Sequence, residues 1–240
     1  MTLNILVAFK IVPDETLIKI SGDKVDLNVP VKISTYDKNA IEEGLELREK
    51  YGGKVIGISV GVNDRKTIRE ALAMGLDEVI SITPKTYADA LATAKLISEE
   101  AKGYDLLIFG ESSTDGGDSA VGPMVGEILG YPVITYVRRV EIQDGFLVAE
   151  RNLTPEVEEV KAKLPCVISV TGEANTPRIP TLKQIMESGK KKVVAKEVEI
   201  ASSSRLVNLT PYFVPRKKVI IEGKLEEQVQ KVVEILRGNL

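Results

Sequence analysis

Residues Tyr104 to Leu129 read YDLLIFGESSTDGGDSAVGPMVGEIL, and this stretch decides the fold. Leu106 to Phe109 is an apolar run that stops at Gly110. Small or acidic residues follow, from Glu111 to Asp118, and from Ser119 the apolar residues recur at helical spacing. The order is strand, glycine-rich loop, helix. Bare loop amides and the positive end of a helix together suit an anion, usually a phosphate. Gly116 and Gly117 let backbone come close to a ligand and take positive φ. Ser119 is the expected N-cap of the helix. An ordinary strand-to-helix turn in an α/β domain produces the same pattern, so spacing alone leaves both readings open.

Upstream of this stretch, strands alternate with helices. Leu3 to Phe9 is a strand buried on both faces. Leu17 to Leu27 turns at Ser21–Lys24 and reads as an edge hairpin. Asp37 to Tyr51 places Ala40, Ile41, Gly44, Leu45 and Leu47 on one helical stripe, capped by Ser34, Thr35 or Asp37 and ended by Gly52 and Gly53. Val55 to Val60 is a strand, and Asn63 or Asp64 caps a helix that closes at Gly75. Glu78 to Ile82 is a strand and Tyr87 to Ala101 a helix. This alternation predicts an α/β fold, a doubly wound and mainly parallel sheet.

Downstream, the pattern changes. Ile134 to Leu153 reads as an antiparallel hairpin turning at Asp144-Gly145, with Val157 to Lys163 as a third strand. Leu164 to Val170 is a buried strand again, and Leu182 to Glu187 a short helix. The pattern therefore gives one α/β domain over residues 1–188. Residues 189–240 form an extended C-terminal arm ending in a helix near Glu222 to Leu236. An apolar arm without a core of its own lies along another surface. A partner chain is the expected surface, its own domain the other.

Composition removes several function classes. The chain has 240 residues, of which 43% are hydrophobic and 28% charged, enough for a large core. A net charge of −3 and 5% aromatic content argue against nucleic-acid binding. No apolar run nears the roughly 18 residues that span a bilayer. MTLNILVAFK lacks a basic lead and reads as a first strand rather than a signal peptide, so the expected location is cytoplasmic, with no direct membrane insertion. Histidine is absent, which removes histidine-based triads and metal sites. The single cysteine, Cys166, sits in an apolar run and reads as a buried structural thiol. No catalytic residue or metal ligand set emerges. Abundant Lys and Glu beside scarce Cys fits a thermophile.

Several stretches together resemble one family, the small (beta) subunits of electron transfer flavoproteins. They are LVAFKIVPD at Leu6–Asp14, ISTYDKNAIEEGLELRE from Ile33, TIREALAMGLDEVI from Thr67, GESSTDGGDSAVGPMVGEILGYP at Gly110–Pro132 and LPCVISVTGEANTPRIPTLKQIMESGKKKV at Leu164–Val193. The resemblance covers nearly the whole chain in the right order. It implies that residues 1–188 are an adenine-nucleotide-binding α/β domain of the universal-stress type. It also implies a heterodimer with a larger alpha subunit that carries most of a redox FAD. The small subunit's own pocket holds AMP in the common type and a second FAD in the electron-bifurcating type.

By the same resemblance, Ala8 and Phe9 contact the adenine region, and Ser34, Thr35, Tyr36 and Asp37 line the base and ribose. Val60 touches the same nucleotide. Gly110, Ser112, Ser113, Thr114, Asp115, Gly116, Gly117, Asp118 and Ser119, with Val121 and Gly122, cradle the phosphates. Leu182 falls in a recognition loop for a dehydrogenase or quinone oxidoreductase, flanked by Arg178, Ile185 and Met186. The family's loop usually reads D-G-D-T, whereas here Asp118 is displaced by one place relative to Asp115. Glu15 follows the VPD turn where many relatives carry an aromatic or hydroxyl residue.

ANTPR at Ala174–Arg178 and ITY at Ile134–Tyr136 look more like bifurcating members, so FAD is favoured over AMP in this pocket. The function implied is electron transfer between a dehydrogenase or NADH and a quinone or ferredoxin pathway. The chain needs no substrate chemistry of its own for that role; NADH oxidation would belong to a bifurcating complex. A stand-alone adenine-nucleotide module of the stress-protein type is the alternative, and it leaves the arm unexplained.

Overall fold

A computed structural model describes residues 2–216 and 218–238. β1 (Leu3–Ala8), β6 (Gly53–Val60), β7 (Glu78–Pro84), β8 (Leu106–Gly110), β9 (Val133–Gln143) and β12 (Cys166–Val170) run parallel in one sheet. β10 (Phe146–Leu153) and β11 (Glu156–Lys163) extend it antiparallel beyond β9. β13 (Lys192–Val198) closes the opposite edge, parallel to β7. Among the described residues this makes nine strands in the order β11-β10-β9-β12-β8-β1-β6-β7-β13. Two small antiparallel pairs sit apart, β2 (Ile11–Pro13) with β5 (Val31–Ile33) and β3 (Lys19–Ser21) with β4 (Lys24–Asp26).

Strand alternation sends successive side chains to opposite faces, and each face has its own helices. Ile5 and Val7 of β1 and Ile108 of β8 pack with Ile41 and Leu45 of α1 (Thr35–Tyr51) and Ile68 and Leu72 of α2 (Arg65–Met74). Leu6 and Ala8 of β1 and Leu107 and Phe109 of β8 face the other way. They meet Leu96 and Ile97 of α3 (Ala90–Glu100) and Val125 of α4 (Val121–Leu129). A sheet covered on both faces explains why its central strands are continuously apolar. Each fully buried Leu or Ile contributes roughly 1.5–3 kcal/mol relative to an exposed one.

The predicted hairpin at Asp144-Gly145, the third antiparallel strand and the short helix, α5 (Leu182–Ser188), all form. Two readings shift. Ser119 is not the N-cap of α4: it adopts φ 52°, and Ala120 occupies the cap position with no side-chain bond. Lys192–Val198, within the arm expected from residue 189, is a strand of the sheet rather than irregular chain. The chain divides into two compact units, Met1–Leu209 and Thr210–Leu240. The second unit holds α6 (Leu225–Gly238), which has no buried residue. Residues 217, 239 and 240 of the expected arm lie outside the described residues.

Candidate functional site

From β1 the chain winds through α1 to β6 on one side, whereas β8 lies on the other side of β1. Strand order therefore reverses between β1 and β8. In open α/β sheets the carboxyl ends part at such a point and leave a crevice for ligands. A cavity of about 480 Å³ sits there, within the roughly 300–1,000 Å³ of small-molecule sites. Ala8, Ile58, Val60 and Phe109 give it an apolar floor. One wall is the loop after β8, from Glu111 to Pro123. The facing wall comes from Pro84 to Thr93.

Asp37, in the first turn of α1, fastens the crevice. Its carboxylate accepts from Lys10 N at 2.8 Å and from Gly110 N at 3.2 Å, joining the ends of β1 and β8. Burial pushes its carboxyl up to about 7, against the lowering effect of these two amides. Gly110 is required by this approach: a Cβ there would lie 2.5 Å from Asp37 Oδ1 and 2.8 Å from the Tyr36 carbonyl carbon. Ser34, fully buried, accepts from Thr114 N at 3.3 Å and so ties the loop to α1.

The loop spends several of its amides on itself. Gly116 N donates to Asp115 Oδ1 at 2.7 Å, Gly117 N to Ser113 O at 3.0 Å, and Glu111 N to Val170 O at 2.9 Å. Among the described residues, the amides of Ser112, Ser113, Asp115 and the run Asp118 to Gly122 have no protein acceptor. The longest run of leftover donors, Asp118 to Gly122, lies at the uncapped start of α4, where orphan amides and the helix dipole favour negative charge. Thr114 Oγ1 is also buried without a partner. Lys10 Nζ reaches over from the end of β1 to Asp115, 2.9 Å from Oδ1 and 2.7 Å from Oδ2.

Of the residues expected from sequence, Ala8, Phe9, Asp37, Val60, Gly110, Ser112, Ser113, Asp115, Asp118, Ser119, Val121 and Gly122 line this one cavity. Ser34, Thr35, Thr114, Gly116 and Gly117 stand outside the lining. Ser34 and Thr114 support it through their mutual bond, and Gly117 supplies the left-handed turn at φ 72°. Tyr36 lines a second cavity of about 630 Å³ with Glu111, Tyr136 and Glu173. Glu111 borders both cavities, and burial followed by the nearby Glu173 raises its carboxyl.

Sequence reasoning missed Lys10 and the wall at Pro84, Thr86 and Tyr87. That wall was expected to be helical from Tyr87. The helix instead begins at Ala90, with Asp89 as N-cap accepting from Ala92 N at 2.9 Å. The chain after β13 is tied to the same wall. Lys85 N donates to Val198 O at 2.9 Å, and Ser202 Oγ donates to Tyr87 O at 2.7 Å and accepts from Asp89 N at 3.0 Å. Ser204 N donates to Asp89 Oδ2 at 2.8 Å.

The expected partner residues lie elsewhere. Arg178 is not displayed but anchored: its guanidinium donates to Glu42 and Glu49 of α1 at 2.6–3.0 Å. Thr181 and Gln184 form a capping box that starts α5. This scaffold presents Ile179, Leu182 and Met186 at 90%, 75% and 72% exposure, with Ile185 beside them. Ile179 was the unanticipated member.

The family model for the electron transfer flavoprotein domain matches residues 25–201. The electron transfer flavoprotein subunit beta of Thermoanaerobacterium thermosaccharolyticum is 37% identical over 257 aligned positions, covering 99% of both chains. The protein of the same description from Bacillus subtilis is 29% identical, covering 100% of this chain and 98% of its own. With the sheet, its reversal point and these full-length similarities in hand, the chain belongs to the electron transfer flavoprotein family, alongside its beta subunits.

Proposed function

We propose that this chain is the beta half of a heterodimeric electron carrier and that its cavity holds the adenylate part of an FAD. AMP is the alternative occupant. The observation that carries this reading is the uncapped start of α4 at the cavity wall. The amides of Ser119, Val121 and Gly122 stand there without protein acceptors, beside a floor of Ala8, Val60 and Phe109. A flat apolar base needs such a floor, and a phosphate needs such donors. The residues present therefore fit the group.

When bound, the flavin supplies the redox chemistry. The chain's part is to orient the nucleotide, keep water from its base and hold its phosphates against the loop. The names of the full-length relatives, which are beta subunits, support an alpha subunit as partner. The apolar display around Leu182 supports docking of a dehydrogenase or quinone oxidoreductase there, since clustered exposed apolar anchors mark interfaces. Electrons would pass from a dehydrogenase or NADH toward a quinone or ferredoxin pathway. No helix among the described residues is long and apolar enough to cross a membrane, and we place the complex in the cytoplasm.

Purification with the alpha subunit, gentle denaturation and mass identification of the released nucleotide test the reading. Two flavins per heterodimer establish FAD in this cavity and favour bifurcation. One flavin with one AMP assigns AMP. A heterodimer that releases no nucleotide from the beta chain ends the proposal.

A further inference from the structure

Among the described residues lining the cavity, Lys10 is the single cation, facing the carboxylates of Asp37, Glu111, Asp115 and Asp118. A phosphate-bearing ligand would add negative charge to a crevice already rich in it. Backbone amides offset part of that charge, and one cation decides how much is left unpaired.

The geometry gives Lys10 a fixed stem and a head held by one partly exposed ion pair. Its N donates to Asp37 Oδ2 at 2.8 Å and its carbonyl accepts from Ser34 N at 3.0 Å, so the backbone is held on both sides. The ammonium is paired with Asp115 alone, and both side chains are partly open to solvent, 47% and 33% exposed. An ion pair this open contributes little to stability, so replacing its carboxylate by another anion costs little. Asp115 is equally well placed to wait: its Oδ1 also accepts from Gly116 N, which fixes the carboxylate on the loop whether or not Lys10 is present. Burial raises the Asp115 carboxyl, but hydrogen bonds from Lys10 and Ser113 outweigh that effect and keep it below the usual range. It is therefore ionised, and a true competitor, at neutral pH.

We propose that Lys10 is the charge partner of the ligand's phosphate, and that Asp115 holds its ammonium until the ligand arrives, so that two anions compete for one cation. This rests on the adenine-nucleotide reading of the cavity. Lys10 then selects phosphorylated over unphosphorylated nucleosides, and Asp115 limits how tightly the phosphorylated ones are held.

The test is titration of AMP and of adenosine into the full chain freed of nucleotide. Lys10→Gln should weaken AMP by about ten- to a hundredfold, the range for a charged hydrogen bond, and leave adenosine unchanged. Asp115→Asn keeps an acceptor for Gly116 N while removing the charge. It should tighten AMP by about two- to fivefold, again with adenosine unchanged. Unaltered adenosine binding also reports that each variant is folded. If the unaltered chain binds neither probe, the nucleotide reading fails and the exchange with it. If both bind, but Lys10→Gln weakens them equally or Asp115→Asn weakens AMP, the exchange is overturned while the nucleotide reading stands.

Discussion

The unit Met1–Leu209 and the unit Thr210–Leu240 share one chain and have opposite interiors. The first contains every residue of the two apolar clusters, with Leu3, Ile5, Leu45, Leu106 and Ile108 fully buried. The second has a 14-residue helix with Leu225, Val229, Val232, Val233 and Leu236 all exposed. The contrast teaches where each part gets its order. The sheet unit buries its own apolar surface. An amphipathic helix of this length is marginal in water unless its apolar face is covered.

Truncation at Leu209 should give the largest effect and the sharpest separation. The remaining unit should still unfold cooperatively, yet should no longer co-purify with the alpha subunit; retained association would break the contrast. Next in size, Leu106→Ala should lower stability by about 2–5 kcal/mol, as deletion of a buried side chain does. Leu236→Ala should change the isolated chain by less than about 0.5 kcal/mol. Denaturant titration measures both. Gly110→Ala should cost about 1–3 kcal/mol through the clash with Asp37 and the Tyr36 backbone. It should also deplete bound nucleotide, because the same contact shapes the crevice.

The pH response sharpens the comparison within α1. Burial pushes both Asp37 and Glu43 up to about 7, Asp37 from an ordinary 3.8 and Glu43 from 4.5. Between those values the folded chain holds protons that the unfolded chain has released. The share of stability that these two groups contribute should therefore be fully present below the ordinary carboxyl range, fall as pH rises toward about 7, and level off above it. Glu43→Gln keeps an acceptor for Asn175 Nδ2 and should flatten its share of the slope in melts from pH 4 to 8. Leu182→Ala should have the smallest effect on stability, within about 0.5 kcal/mol, while slowing electron exchange with a dehydrogenase in stopped-flow mixing. An unaltered rate would remove Leu182 from the docking surface.

The sheet was legible because its central strands are apolar runs separated by capped helices, a pattern carried by local spacing. β13 was not. KVVAKEV has no buried residue and pairs with a strand more than a hundred positions earlier, so nothing near it in sequence marks it as part of a sheet. The strand ends and the glycine-rich loop border one crevice, at the place where parallel strands end and ligands gather in open α/β sheets. Which amides remain free was not legible, because Ser34, Val170 and Ser113 take several of them across loops. Ser119 illustrates the limit of residue-type reasoning: a good capping side chain was spent instead on a left-handed bend. Lys10 escaped notice because a lone lysine after an apolar strand is usually solvated. Its partner lies 105 positions away.

The stitching of Ser202 and Ser204 onto Tyr87 and Asp89 has a mechanical consequence. A tether that leaves the sheet at β13 is moored to the panel that borders the crevice, through Asp89, the same group that starts α3. Displacing that tether would strip the Asp89 amide of its acceptor and the Asp89 carboxylate of the Ser204 amide donor, loosening the group from which α3 starts.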